Sequence, residues 1–212
     1  MKVFGFPLSP FVRKVHLVAA EKGVEVETVL GNPASPSEEF LAASPFRKIP
    51  ALQDGDFTLC DSTAIVTYLD ALHPAPSIAP GDARQKARAI WFEEFADTIM
   101  TPAGAKVVFN RFVGPKFLGM TGDEAAAEQG LVELQPIFHW FETQAPAEGW
   151  LTGEFSIGDI AVASVFRTLG YVGLEPDEAL RPATAAWYDR VKARPAWQAV
   201  AGREAAILSR FG

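Results

Sequence analysis

The chain has 212 residues, 49% of them apolar and 21% charged, which are the proportions of a folded globular protein rather than a disordered or fibrous one. Nineteen basic against twenty-six acidic residues leave a net charge of −7, a sign that disfavours nucleic acid, where a basic face must neutralise phosphates, and gives no electrostatic pull toward an anionic membrane. One cysteine rules out an intrachain disulfide framework and a cysteine-only metal site, the three scattered histidines have no ligand spacing, and no apolar run reaches the roughly 18–20 residues that span a bilayer. The length holds one large domain or two small ones. The N-terminus runs into strand-like sequence with no leader pattern, and the expected compartment is the cytoplasm.

Lys2–Phe6 predicts a short strand and Pro10–Lys22 a helix closed by Gly23. Phe11, Val15 and Val18 fall on one face of that helix, with Arg13, Lys14 and Glu21 elsewhere. Val24–Leu30 predicts a second strand, followed by a loop over 31–37 and a short helix from about 37 to 43. Ala51–Asp54 and Phe57–Cys60 flank Gly55-Asp56, a tight hairpin signal. Ser62–Leu72 has helical period and stops before His73-Pro74. The order β-α-β-α-β-β-α implies a parallel opening pair joined to an antiparallel hairpin, a small mixed sheet with helices on its faces.

Three prolines in residues 74–81 punctuate the chain, and strand signals end there. The predicted division is a first domain over 1–76, a linker over 77–86 and an all-helical domain over 87–212. Asp82–Asn110 is one long helical pattern, and Asp123–Gln144 is another in which Pro136 predicts a kink or break. Ser156–Leu169, Pro182–Lys192 and Pro195–Arg203 follow. Ser156-Ile157-Gly158-Asp159 has the form of a capping box opening an apolar helix, so Asp159 is expected to be a folding element.

Nucleotide-phosphate loops and a serine-hydrolase elbow are absent from the sequence. What remains is a set of helix and strand starts in the first half. Ser9-Pro10 is a serine N-cap with proline in the first turn; it is either a cap alone or a hydroxyl and a positive helix end aimed at an anion. Lys48-Ile49-Pro50 enters the third strand, where a cis proline would expose the Ile49 backbone to an extended peptide. Asp61-Ser62 opens the helix after the hairpin, again a cap or a site for a zwitterion. Cys60 ends an apolar strand and is expected to be a buried, inert thiol.

Taken together on this pattern, the segments KVFGFPLSPFVRKVHLVAAEKGVEVE and SPFRKIPALQDGDFTLCDSTAIVTYL resemble the thioredoxin-like domain of soluble, cytosolic-type glutathione transferases of the serine type. VVFNRFVGPKFLGMTGDEA, GEFSIGDIAVAS and WYDRVKARPAWQAV resemble that family's all-α domain, closest in pattern to the phi-like class. The resemblance implies an enzyme that uses glutathione as co-substrate and needs no metal. Ser9 would hydrogen-bond the glutathione sulfur and favour its thiolate, which attacks a hydrophobic electrophile. Pro50 is expected cis, with Ile49 pairing to the cysteinyl backbone, Lys48 near the glycyl carboxylate, and Asp61 and Ser62 at the γ-glutamyl end. Leu8 and Phe11 are the expected pocket wall; Phe109 and Phe112 either line the electrophile pocket or pack the core.

A homodimer is also implied by the resemblance. One departure stands out: the pattern's basic pair before the second helix is Ser35-Pro36 here, with no basic residue between Lys22 and Arg47. Either Lys48 and Arg47 carry the carboxylate, or glutathione binds weakly and the chain is a fold relative that carries hydrophobic ligands.

Overall fold

The computed structural model describes residues 1–31 and 36–209. The chain divides into two compact units. The first is Met1–Ile78 together with Pro195–Glu204, and the second is Ala79–Arg194 together with the chain end from Ala205. The sequence assigned all of 87–212 to the helical half, whereas Pro195–Glu204 groups with the first unit.

In the first unit the order is β1 (Lys2–Phe4), α1 (Pro10–Glu21), β2 (Glu27–Val29), α2 (Glu38–Ala43), β3 (Ala51–Asp54), β4 (Phe57–Cys60) and α3 (Ser62–Leu72). The strands form a sheet in the order β2-β1-β3-β4, with β1 parallel to β2 and antiparallel to β3, and β3 antiparallel to β4. Both opening strands are shorter than the apolar runs that announce them. β1 stops at Phe4 because Gly5, although its N–H still reaches the Val29 carbonyl at 2.9 Å, starts a turn closed by Ser9 N–H to Phe6 O at 2.9 Å. A side chain at Gly5 would meet Val12 of α1 at 2.5 Å, so glycine is what lets the helix come this close to the strand.

Phe4, Phe40, Ala43 and Ala51 form a core cluster on one face of the sheet, against which Val29, Ile49 and Cys60 pack. Cys60 is only half-buried rather than enclosed. Strand alternation turns Val3 and Leu52 to the opposite face, and both are fully buried. Helix α1 packs on α3.

Arg13 and Lys14, which lie off the Phe11, Val15 and Val18 face of α1, are nevertheless each 1% exposed. Nε of Arg13 donates to the Glu204 carboxylate, equally buried, 191 positions along the chain. A buried charge needs such a partner, and helical period cannot reveal one so distant.

In the second unit, α4 (Ala83–Phe95), α5 (Thr101–Val108) and α6 (Gly114–Phe117) are joined by π-helical turns at Ala96–Met100 and Phe109–Val113. The long helical pattern is therefore continuous in winding, but widened twice by the extra residue a π turn admits. α7 (Glu124–Gln144) does not break at Pro136, which lies on its exposed side near Val132, itself 65% exposed. α8 (Ile157–Gly170) and α9 (Pro182–Lys192) follow, and then α10 (Pro195–Leu208), whose residues Pro195–Glu204 belong to the first unit.

α4 packs on α8 and α5 on α7, around a cluster that includes Phe92, Phe95, Trp140, Phe141, Phe166 and Trp187. The Asp159 carboxylate accepts from Ser156 N–H and O–H at 3.1 Å each, from Leu151 N–H at 3.1 Å and from Trp187 Nε1–H at 2.8 Å. Burial pushes its carboxyl pKa up, and these donors oppose the shift. Asp159 is thus the folding element its motif announced.

Candidate active site

Sheet register gathers the expected residues of the first unit. Phe4 pairs with Ala51 and Ala51 with Cys60, so the end of β1, the start of β3 and the end of β4 lie at the same edge of the sheet. Chain direction does the rest. The turn that leads to Ser9 leaves β1 there, Lys48-Ile49-Pro50 enters β3 there, and Asp61-Ser62 leaves β4 there; Asp61 N–H reaches Pro50 O at 3.4 Å.

Ser9 is the N-cap of α1, with Pro10 in the first turn. Its backbone is extended (φ −65°, ψ 133°) and its side chain makes no capping hydrogen bond. The plain capping role is therefore not what occupies this hydroxyl. A half-buried serine beside the positive end of a twelve-residue helix keeps a donor available for an anion.

The peptide bond between Ile49 and Pro50 is cis. The preceding turn is held by Ser44, whose buried hydroxyl donates to Lys48 O at 2.7 Å and accepts from Lys48 N–H at 2.9 Å. Sequence reading missed Ser44; its only local signal was a serine just past a short helix. Arg47 takes a positive φ of 57° in this turn, and Lys48 follows it, both exposed. Among the described residues neither side chain has an ion-pair partner, so two cations stand uncommitted next to the strand entrance. Ser35 lies outside the described residues, and Pro36 is half-buried.

Asp61 has φ 97° and ψ 129°, a conformation that costs a non-glycine residue roughly 1–3 kcal/mol. Its carboxylate accepts from Thr63 N–H at 2.9 Å and Ala64 N–H at 3.0 Å, yet the residue stays exposed. Ser62 is buried in the first turn of α3, and among the described residues its hydroxyl has no partner. Carboxylate, hydroxyl and helix start together can take both charges of an amino-acid terminus. The Gln53 Oε1 is buried and without a partner among the described residues.

Of the expected pocket wall, Leu8 is buried and Phe11 half-buried in the first unit. In the second unit Phe109 is exposed, whereas Phe112 stacks on Tyr171 (5.0 Å between centroids, 19°) and meets Phe117 edge-on at 5.4 Å. Phe112 is half-buried in an aromatic stack that still presents ring surface, between the two roles open for it.

A groove of about 680 Å³ lies away from these residues, lined by Met1, His16, Glu25, Glu27 and Arg203 among others. His16 in its wall is 4% exposed; burial, with the Arg203 charge second, pushes its pKa down to about 4. Its Nε2 sits 3.3 Å from Thr28 Oγ1, and Nδ1 has no partner among the described residues. Among the described residues no cluster of three metal-ligating side chains occurs, and no helix is long and apolar enough to cross a membrane.

A β-α-β-α-β-β-α unit with three element starts gathered at one sheet edge, followed by a helical unit, defines the class of two-domain proteins with a thioredoxin-like N-terminal half. Family models narrow the class: the glutathione S-transferase N-terminal domain matches residues 3–77 and the glutathione S-transferase C-terminal domain residues 95–195. The chain is 31% identical to glutathione S-transferase 4 of Zea mays, over 95% of this chain and 92% of that protein. It is 30% identical to a probable glutathione S-transferase, GSTF2, of Oryza sativa subsp. japonica, over 95% of each. A solved glutathione S-transferase-I bound with lactoylglutathione superposes with a TM-score of 0.83 at 27% identity, over 95% of this chain and 98% of that one. The chain belongs to the glutathione S-transferase family, near its plant phi-class members, and is a glutathione transferase.

Proposed function

We propose that this enzyme joins glutathione to a hydrophobic electrophile, with Ser9 as the catalytic hydrogen-bond donor to the sulfur. The observation that carries this reading is the Ser9 hydroxyl, left without a capping bond at a helix N-terminus and at the same sheet edge as Pro50 and Asp61-Ser62. Ile49 supplies backbone groups for the cysteinyl residue, Lys48 and Arg47 face the glycyl carboxylate, and Asp61 and Ser62 hold the γ-glutamyl ammonium and carboxylate. The thiol proton leaves to solvent, the thiolate forms a carbon–sulfur bond, and the electrophile's leaving group or opened ring takes the displaced electron pair. Ser9 does not ionise; it lowers the thiol pKa together with the helix field. A lowering of ~2 units corresponds to roughly 2.7 kcal/mol.

Leu8 and Phe11 of the first unit are the proposed apolar contacts for the electrophile. A homodimer has Phe46 in its favour, a ring 82% exposed in the turn before Lys48. The proposed compartment is the cytoplasm.

Ser9→Ala tests the reading. Turnover with an electrophile panel should fall about 10²-fold, with the urea midpoint and calorimetric glutathione binding retained. Parental turnover removes Ser9 from the mechanism, and no heat at millimolar glutathione removes the glutathione site.

A further inference from the structure

We propose that Arg13, held by Glu204, is a positioning residue for the Ser9 hydroxyl. The inference rests on the reading of Ser9 above. The backbone of Ser9 sets the direction of its Cα–Cβ bond, and no capping bond ties its hydroxyl to its own helix. That backbone is clamped on both sides of one peptide plane. Nη2 of Arg13 donates to the Leu8 carbonyl at 3.1 Å, while the N–H of the same peptide, belonging to Ser9, donates to Phe6 O at 2.9 Å.

Arg13 lies four residues beyond Ser9, one helical turn on, and a helical side chain leans toward its own N-terminus. The guanidinium therefore reaches back over the first turn. Its other edge is fixed by Glu204 of α10, both side chains being 1% exposed. Two anchors on a planar fork leave the guanidinium no freedom to slide, which lysine cannot reproduce.

The pair is neutral in sum, so it does not itself supply the field that favours a thiolate. What it supplies is placement. A donor displaced by 1 Å from the sulfur forfeits most of its hydrogen bond, and supported sites hold such groups to within about 0.5 Å. The same pair ties Pro195–Glu204, from the far end of the sequence, to the turn that carries Ser9.

The experiment is a double-mutant cycle between Ser9→Ala and Arg13→Lys, repeated with Glu204→Gln in case the lysine variant folds poorly. Each protein is read by the thiolate absorbance of bound glutathione against pH, and by kcat and KM for glutathione per folded molecule. Positioning predicts that Arg13→Lys and Glu204→Gln raise the thiol pKa by about 1 unit and lower kcat about tenfold. KM should stay within about twofold, and neither change should worsen kcat or thiol pKa once Ser9 is alanine. Effects that add fully to those of Ser9→Ala, or single variants with parental thiol pKa and kcat, overturn the positioning role while leaving the Ser9 reading standing. If Ser9→Ala alone leaves the thiol pKa unchanged, the Ser9 reading falls and the proposal falls with it.

Discussion

Replacing Asp159 by alanine removes a carboxylate on which four donors converge. The Ser156 hydroxyl can turn toward Thr152 Oγ1, already 3.4 Å away, but the other three donors have no such recourse. Trp187 Nε1 and the amides of Leu151 and Ser156 would be left unpaired. Each stranded donor costs about 1–3 kcal/mol. Against this, the variant no longer holds a carboxyl in a site that disfavours its charge, so the low end of the sum applies, roughly 3–4 kcal/mol. At about 2–4 °C per kcal/mol for a chain of this size, the melting midpoint should fall by on the order of 10 °C.

Urea unfolding followed by tryptophan fluorescence reports the change, because Trp187 is fully buried and bonded to the deleted group. Asp159→Asn is the informative companion. Its amide keeps the shape but turns one acceptor into a donor facing N–H groups, so it should lose nearly as much as alanine. A midpoint within about 0.5 kcal/mol of the parent for either variant would refute the argument that this cluster closes the helix start.

His16 makes stability depend on pH in a stated direction. Its folded pKa near 4 lies below the unfolded value of 6.5, so the stabilisation is present above 6.5 and is lost as pH falls toward 4. Between pH 7 and pH 5 that amounts to about 2 kcal/mol; His16→Asn should flatten this part of a urea-midpoint profile, and an unchanged slope would place the acid sensitivity elsewhere. Asp61→Asn keeps an oxygen for Thr63 and Ala64 N–H, so stability should stay within about 1 kcal/mol while KM for glutathione rises about tenfold through loss of the ammonium's partner. A parental KM would free Asp61 from any role beyond its cap.

The parts of the fold that local chemistry dictates were legible. β3, β4 and α3 have the bounds that Gly55-Asp56 and Asp61-Ser62 announce, since a tight turn and a helix cap are each written within a few residues. Ser9 and Asp61-Ser62 were visible for the same reason, each as a cap or as a site for a charged ligand. Their meeting at one edge depends on the pairing of Phe4 with Ala51 and Ala51 with Cys60, which no stretch of sequence states by itself.

What stayed hidden was either long-range or without a local signature. The burial of Arg13 could not be read from α1, because its partner is Glu204. The two π turns add a residue per turn with no marker in composition. Pro136 looked like a breaker because its exposed placement on α7 could not be read in advance. For Ser9 the motif left a cap or an anion-facing hydroxyl open, and the geometry makes no cap bond.

The hairpin between β3 and β4 turns at Gly55-Asp56, where Gly55 takes φ 61° and a side chain there would meet nothing within 4 Å. Because Asp54 pairs with Phe57 at this turn and Ala51 with Cys60 at the other extremity, the strands stand between it and every residue assigned to glutathione. Lengthening a surface loop costs only about 0.6 kcal/mol per doubling. The molecule thus has a permissive corner: an epitope, a fluorophore-bearing peptide or an immobilisation handle spliced between Gly55 and Asp56 enters open solvent, with four residues of each strand separating it from the sulfur chemistry.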